Sequence, residues 1–327
     1  MKERKTNNAG LVAGNETNHQ PYDIIGDIHG YADVLERLLR KLGYEKPNGV
    51  WRHPEGRKVI FLGDFIDRGP SIPRTLRTVK GMADAGEALA IMGNHEYNAL
   101  LYHTPTKNGG WLRRRVPKNV NQHAATLAQF WNHREEWEGY LDWFATLPLW
   151  LDLGDLRAVH ATWDDRVVSA NPGWRILDRD FLHRSAVKKS AEYEHCEIPL
   201  KGVEADLPPG HVFTDHGGNE RDRIRMKWWV DARGMTYHEL SLPESDTVPH
   251  LPVPESVSAT CPQYAADAPP VFFGHYWMPF DGEPRLMAPN VACLDFGIAK
   301  DGALTAYRWD GEQTLDAAKM VFAREGE

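Results

Sequence analysis

Three strings limit what this chain can fold into more than anything else in its 327 residues: Gly26-Asp27-Ile28-His29-Gly30, Gly63-Asp64-Phe65-Ile66-Asp67-Arg68-Gly69 and Gly93-Asn94-His95-Glu96. Each follows directly on an apolar run: Tyr22-Ile25, Val59-Leu62 and Leu89-Met92 respectively. Such runs read as buried strands, so every string begins where a strand ends. Between the strings lie helical patterns. Val34, Leu35, Leu38, Leu39 and Leu42 recur at helical spacing, which predicts a helix over 32–41 closed by Gly43. Pro70 and Pro73 open a second helix running through Leu76 and Val79 towards Ala85. Strand, polar turn and helix in repetition is an α/β signature with parallel strands, whose ligands gather at the strands' carboxyl ends.

Two later histidines repeat the pattern. His160 ends the run Leu156-Arg157-Ala158-Val159, and His275 follows Val271-Phe272-Phe273-Gly274. Carboxylates, an amide and imidazoles collected at neighbouring strand ends form a donor set for a transition metal such as manganese, iron or zinc, rather than for calcium. Leu147-Leu153 and Leu156-His160 flank Gly154-Asp155 and predict a hairpin. Strand character returns at Val271-Phe273, Val291-Leu294 and Ala303-Trp309. In between, His103–Lys118 reads as a loop and Ala124–Tyr140 as a helical, Trp-containing stretch. Residues 175–266 carry charge runs and Pro pairs, and read as an insertion or cap. The polar residues 1–20 read as a disordered tail. The expected organisation is therefore that tail and a single domain over 21–327.

The ordered set GDIHG, GDFIDRG, GNHE, VHA and GHY resembles the calcineurin-like metallophosphoesterases. The Asp-Arg-Gly ending of the second string is similar to their phosphoprotein phosphatase branch, which includes serine/threonine phosphatases and bacterial symmetrical diadenosine tetraphosphate hydrolases. The resemblance covers residues 22–163 and 270–309. It implies a sandwich of two mixed β-sheets flanked by helices, with two divalent metal ions. Asp27 and His29 would bind the first ion, Asp64 would bridge both, and Asn94, His160 and His275 would hold the second. Manganese comes first, with iron, zinc, cobalt or nickel accepted by the same donors. The implied reaction is in-line attack on phosphorus by a hydroxide shared between the metals, with no covalent intermediate. His95 would be the general acid, Asp67 would orient it, and Arg68 and Asn94 would grip the phosphate. Glu96 reads as a first-turn helix residue rather than a ligand.

The branch usually shows His-Gly-Gly at its fourth motif, where this chain has His160-Ala161-Thr162. His216-Gly217-Gly218 matches literally but lacks an apolar lead, so His160 is preferred. A second phosphate-binding arginine is expected among Arg221, Arg223, Arg225 and Lys227, with Arg225 as the candidate. Arg113-Arg114-Arg115 with Lys118 is a further candidate for an anionic substrate, although an exposed loop is the reading preferred. Trp228-Trp229 reads as packing rather than as a base-stacking platform, and His123 and His133 read as surface histidines.

Composition narrows the rest. The formal charge is −8, which argues against a nucleic-acid backbone binder, and no apolar run is long enough to span a membrane. The short patch Gly10–Gly14 is too brief for a secretory leader. Cys196, Cys261 and Cys293 are odd in number and far apart, so no disulfide framework is expected and the cytoplasm follows. The expected activity is hydrolysis of phosphate monoesters, on a phosphoprotein or a small phosphorylated molecule. The alternative is symmetrical hydrolysis of a dinucleoside polyphosphate such as diadenosine tetraphosphate. A nuclease and a non-catalytic phosphate-binding module rank below these.

Overall fold

A computed structural model describes residues 19–170, 178–214, 218 and 220–327. The first three strands are β1 (Tyr22–Ile25), β2 (Lys58–Phe61) and β3 (Ala88–Ala90), and the helices that follow them are α1 (Ala32–Lys41), α2 (Ile72–Asp84) and α3 (Asn94–His103). Both helices expected from spacing form within a residue or two of the predicted bounds. Two differences follow. The stretch expected as one helix is two, α4 (Pro117–Gln129) and α5 (Arg134–Phe144), and the loop before it ends at Val116. Pro117 opens α4 because the first helical position needs no N–H, so the helix starts inside the stretch read as a loop.

The hairpin forms as β4 (Trp150–Asp152) and β5 (Arg157–Val159), paired antiparallel. Next come α6 (Asp165–Ala170), α7 (Arg179–Ser185) and α8 (Ala191–Lys201), then the short strands β6 (Glu204–Asp206), β7 (Phe213–Thr214), β8 (Glu220–Arg221) and β9 (Arg223–Arg225), and two single-turn helices, α9 (Tyr237–Leu240) and α10 (Glu255–Ser258). The chain closes with β10 (Val271–Phe273), β11 (Val291–Cys293), β12 (Asp295–Phe296), β13 (Ala303–Trp309) and β14 (Met320–Ala323). Residues 1–18, most of the expected tail, lie outside the described residues. His19 contacts Asp155 at 2.7 Å and Gln20 donates to the Gly56 carbonyl at 2.9 Å.

Two mixed sheets stack face to face. The first runs β12-β13-β1-β2-β3 with β14 against β13, and its β1, β2 and β3 are parallel. The second runs β11-β10-β5-β4, with β5, β10 and β11 parallel. Alternation along each strand assigns the side chains to faces. Ile24, Ile60 and Leu62 from the first sheet meet Ala158, Phe272 and Ala292 from the second, all buried, to make the layer between the sheets. Ile25, Val59 and Phe61 point the other way, under α1, α2 and α3. Val271, Phe273 and Cys293 face outward and are covered by Trp228, Leu242 and Tyr264. Trp228 meets Phe273 edge-on at 5.2 Å, so its indole is core, as expected. Residues from Ala205 to Cys261 also enclose a small apolar cluster of their own. Among the described residues no helix is long and apolar enough to cross a membrane.

One charged cluster lies on the sheet. Asp23 of β1 is fully buried and is met by the Arg57 guanidinium, at 3.0 Å from Nη2 and 3.2 Å from Nε, and by Arg308 Nε at 3.2 Å. Arg57 also donates to the Tyr22 and Trp309 carbonyls, tying β1 to the end of β13. Removing one side of a buried pair leaves the other charge uncompensated, which costs about 3–5 kcal/mol. Because Arg308 remains, Arg57→Ala is expected at the lower end of that range, about 3 kcal/mol. Urea unfolding monitored by tryptophan fluorescence checks this.

Candidate metal centre

All five predicted ligand strings end at one place. The turns after β1, β2 and β3 carry Asp27 and His29, Asp64 to Arg68, and Asn94 to Glu96. The second sheet brings His160 after β5 and His275 after β10. The turns are tightly bent: His29, Asp64, Asp67, Arg68, His275 and Trp277 all adopt φ between 47° and 72° although none is glycine. Such backbone is costly and persists where its surroundings over-determine it. Two of the turns touch backbone to backbone. A Cβ on Gly63 would lie 2.4 Å from the Gly93 nitrogen, and one on Gly93 would lie 2.2 Å from the Asp64 nitrogen.

Glu96 secures this contact. Its buried carboxylate accepts from the backbone N–H of Asp64 and Phe65, both at 2.8 Å, and of Gly93 at 3.0 Å. It sits in the first turn of α3, as expected, but it also clamps the neighbouring turn. Burial, then the Asp64 charge, pushes its pKa up to about 7.

The ligand atoms form two groups that share Asp64. His29, Asp64 and His95 offer atoms within 4.8 Å of one another, and so do Asp27, Asp64 and His160. His29 Nδ1 is 3.0 Å from the Ile66 carbonyl and His160 Nδ1 is 2.7 Å from that of Leu62, so each ring turns its Nε2 inward. His160 Nε2 lies 3.4 Å from Asp64 and 3.1 Å from the Asn94 carbonyl oxygen. His275 Nδ1 is 2.7 Å from that same Asn94 oxygen, and its backbone N–H donates to Asp27 at 3.2 Å.

The centre fits divalent cations on its own chemistry. The buried His29 Nε2 has no hydrogen-bond partner although it sits 3.6 Å from Asp64. Burial and the adjacent His95 lower the His29 pKa to about 3, and burial with Arg225 lowers that of His275, leaving both rings neutral as ligands must be. Three carboxylates, those of Asp27, Asp64 and Asp295, are buried close together. Burial, then Asp295, raises the pKa of Asp27. Burial alone would lower His160, but Asp64 and Asp27 outweigh it and hold its pKa at about 10. Negative charge concentrated to this degree requires positive charge beside it.

His95 of the first group has further partners. Its Nδ1 is 2.5 Å from Asp67, and its Nε2 is 3.5 Å from Arg68 Nη2. Here the structure corrects the sequence reading of His123, which is buried and holds the other Asp67 oxygen at 2.7 Å. His133 is exposed, as expected. Thr126 also binds Asp67, accepting from its N–H at 3.0 Å and donating to its carboxylate at 2.5 Å. Gln129 grips the end of the same turn, donating to the Gly69 carbonyl at 2.9 Å and accepting from the Ile72 N–H at 2.7 Å. Gln122, His123, Thr126 and Gln129 form a polar stripe at helical spacing on α4, a signal present in the sequence once the helix is known to start at Pro117.

The arginines separate. Arg68 lies over the Trp277 ring at 4.0 Å. Arg225 is half-buried beside Tyr276, with its guanidinium 5.8 Å from that ring, while Arg223 pairs with Asp206 and Lys227 with Glu244 at 2.6 Å. Arg114 and Arg115 are exposed, in line with a loop, and Lys118 is exposed in the first turn of α4, but Arg113 turns inward. Asp295 was not among the sequence candidates. It accepts from the Trp277 N–H at 2.8 Å and fixes the turn after His275. His216 lies outside the described residues.

The sequence profile of the calcineurin-like phosphoesterase family matches residues 21–276, which includes the segment the motif resemblance left out. The chain belongs to that family. It is a hydrolase with the metallophosphoesterase fold. It is 47% identical over 74 residues to a bis(5'-nucleosyl)-tetraphosphatase (asymmetrical) of Bacillus subtilis, covering 23% of this chain and 30% of that protein. The corresponding protein of Halalkalibacterium halodurans is 46% identical over the same coverage. The chain thus matches less than a third of the length of these relatives. A serine/threonine phosphatase of Saccharomyces cerevisiae similar to human PP5 superposes with a TM-score of 0.45 at 14% identity, over 96% of this chain and 82% of that one. A cold-active protein-tyrosine phosphatase of a Shewanella species superposes with a TM-score of 0.41 at 15% identity, over 91% and 80%.

Glu96→Ala strands three buried N–H donors, each worth about 1–3 kcal/mol. It is expected to lower stability by more than about 3 kcal/mol, with Glu96→Gln recovering part of the loss. Chemical denaturation of both variants checks this.

Proposed function

We propose that this hydrolase cleaves phosphate monoesters, of a phosphoprotein or a small phosphorylated molecule, with two divalent cations. The observation that supports it is the sharing of buried Asp64 between two donor groups, one of which includes the His95 that Asp67 holds. Asp27, His29 and Asp64 would hold one cation, and Asp64, Asn94, His160 and His275 the other, with Mn²⁺ first and iron, zinc, cobalt or nickel as substitutes. When bound, such ions acidify water and neutralise charge on phosphoryl oxygens.

The remaining work belongs to the chain. Arg68 offers a planar fork to the phosphate, and the face of Trp277 holds that fork in place. Arg225 adds positive charge behind His275, and Asn94 lines the same face. The bond from phosphorus to the leaving oxygen breaks, that oxygen takes a proton from His95 Nε2, and the OH of a water replaces it on phosphorus, the proton that water gives up going to solvent, from which His95 is reprotonated. Asp67 stabilises the protonated ring through Nδ1. His123, Thr126 and Gln129 hold Asp67 and its turn still. The segment over 178–266 would act as a cap that carries Arg225. The three buried, unpaired thiols suit a reducing cytoplasm.

A second reading, hydrolysis of a dinucleoside polyphosphate such as diadenosine tetraphosphate, is favoured by Arg113, which reaches His95 through Gln122, and by the names of the Bacillus and Halalkalibacterium relatives, whose cleavage is called asymmetrical where the motif resemblance suggested the symmetrical kind. Net acidity stands against a nuclease, and the filled ligand positions against a non-catalytic module.

Metal-stripped protein is expected not to hydrolyse p-nitrophenyl phosphate until Mn²⁺ is restored, and Asp64→Asn is expected to stay inactive with it. His95→Ala should lower kcat by about 10²–10⁴. Metal-independent turnover, or full activity of Asp64→Asn, would contradict the proposal.

A further inference from the structure

The loop after α3 carries an arginine that the reaction above does not use. Arg113 is pinned by its backbone N–H to the Leu101 carbonyl at 2.9 Å, and its half-buried side chain reaches back along α3. Nη1 donates to Asn98 Oδ1 at 2.7 Å and Nη2 to Gln122 Oε1 at 2.8 Å. Asn98 is one helical turn beyond Asn94, on the face of α3 that carries the metal-side amide. Because Arg113 can only donate, it orients the Gln122 amide, whose Nε2 then lies 3.4 Å from His95 Nε2. A guanidinium has five N–H donors and these contacts use two.

Among the described residues no carboxylate forms an ion pair with Arg113; Asp67 and Glu197 act on it only from beyond contact, and burial lowers its pKa. A desolvated cation without a counter-ion is costly unless an anion joins it. Its position sets which anion. Arg68 and Gln122 both approach the same nitrogen of His95, at 3.5 Å and 3.4 Å. Arg68 lies over Trp277, in the turn after His275, and Asp64, Asp295, Asp27 and Asp67 all act on it. Arg113 is held instead between Asn98 of α3 and Gln122 of α4, with Asp67 and Glu197 of α8 as its acidic neighbours. The nitrogen that protonates the leaving oxygen therefore has one arginine towards the transferred phosphoryl group and one towards whatever departs.

We propose that Arg113, oriented by Asn98 and coupled to His95 through Gln122, is a second anion site that receives a phosphate of the leaving group, so that phosphoanhydrides of nucleotides are substrates of this enzyme beside simple monoesters. This rests on the hydrolytic reading above and gives its second substrate class a binding site of its own. A planar fork with three free donors suits the non-bridging oxygens of such a phosphate.

The test uses the full chain with Mn²⁺, as wild type, Arg113→Gln and Arg113→Lys, on p-nitrophenyl phosphate and diadenosine tetraphosphate, with calorimetric binding of ADP and of orthophosphate. The expected result is that Arg113→Gln lowers the anhydride-to-monoester ratio of kcat/KM by about tenfold or more, as loss of a charge-assisted contact would. ADP affinity should fall by a similar factor, and by more than orthophosphate affinity. Arg113→Lys should lie between, and it covers the case in which Arg113→Gln fails to fold. An unchanged ratio, whether both substrates slow together or neither does, would overturn the proposal. A wild type that hydrolyses neither substrate would overturn the hydrolytic reading instead, and the site would then stand or fall on the ADP measurement.

Discussion

The buried carboxylate of Asp64 stands where the two sheets, the turn after β2 and the start of α3 come together, and each of these is arranged around it. Its backbone is held by Glu96 from α3, its side chain accepts from the His95 N–H at 2.9 Å, and its oxygens face His29 and His160 from opposite sheets. In a folded protein such a charge is tolerated only with positive partners close by. His95, whose pKa this charge raises against burial, and the two cations proposed here supply them. The same requirement explains the left-handed backbone on either side of Asp64. Ordinary extended or helical backbone would not turn five short strand ends towards one point.

A second layer of order comes from α4. Its polar stripe fastens the Asp67-Arg68-Gly69 turn at three places: carboxylate, amide and terminal carbonyl. Asp67 accepts from His95, His123 and Thr126, so it has little freedom left, and burial is outweighed by these bonds in keeping it ionised. That arrangement keeps His95 at one angle between the ligands and the leaving-group side. Arg113 and Gln122 extend the same helix-borne scaffold away from the ligands, linking catalytic geometry to substrate choice through one hydrogen-bonded chain.

What the sequence disclosed follows from how local each signal is. Asp27, His29, Asp64, Asn94, His160 and His275 each follow an apolar run, and the adjacency of strand and ligand is written in consecutive residues. His160 follows the same logic and stands beside Asp64 and Asn94, while His216 lies outside the described residues. His123 was misread because its partner, Asp67, is far away in sequence and no local pattern marks a histidine that bonds a distant carboxylate. Arg113 was hidden inside a basic run whose neighbours do face solvent. Asp295 lies just past a strand with no glycine-rich signature, and its role depends on the turn after His275. Pro117 concealed the start of α4, and with it the stripe that would have drawn attention to His123 and Gln122.

The central claim is that Asp64 is shared by two cations. Anomalous diffraction from crystals grown with Mn²⁺ tests it most directly. Two peaks about 3.5–4 Å apart are expected, one between Asp27, His29 and Asp64 and the other between Asp64, Asn94, His160 and His275. A single peak away from Asp64, or none at saturating Mn²⁺, would contradict the account.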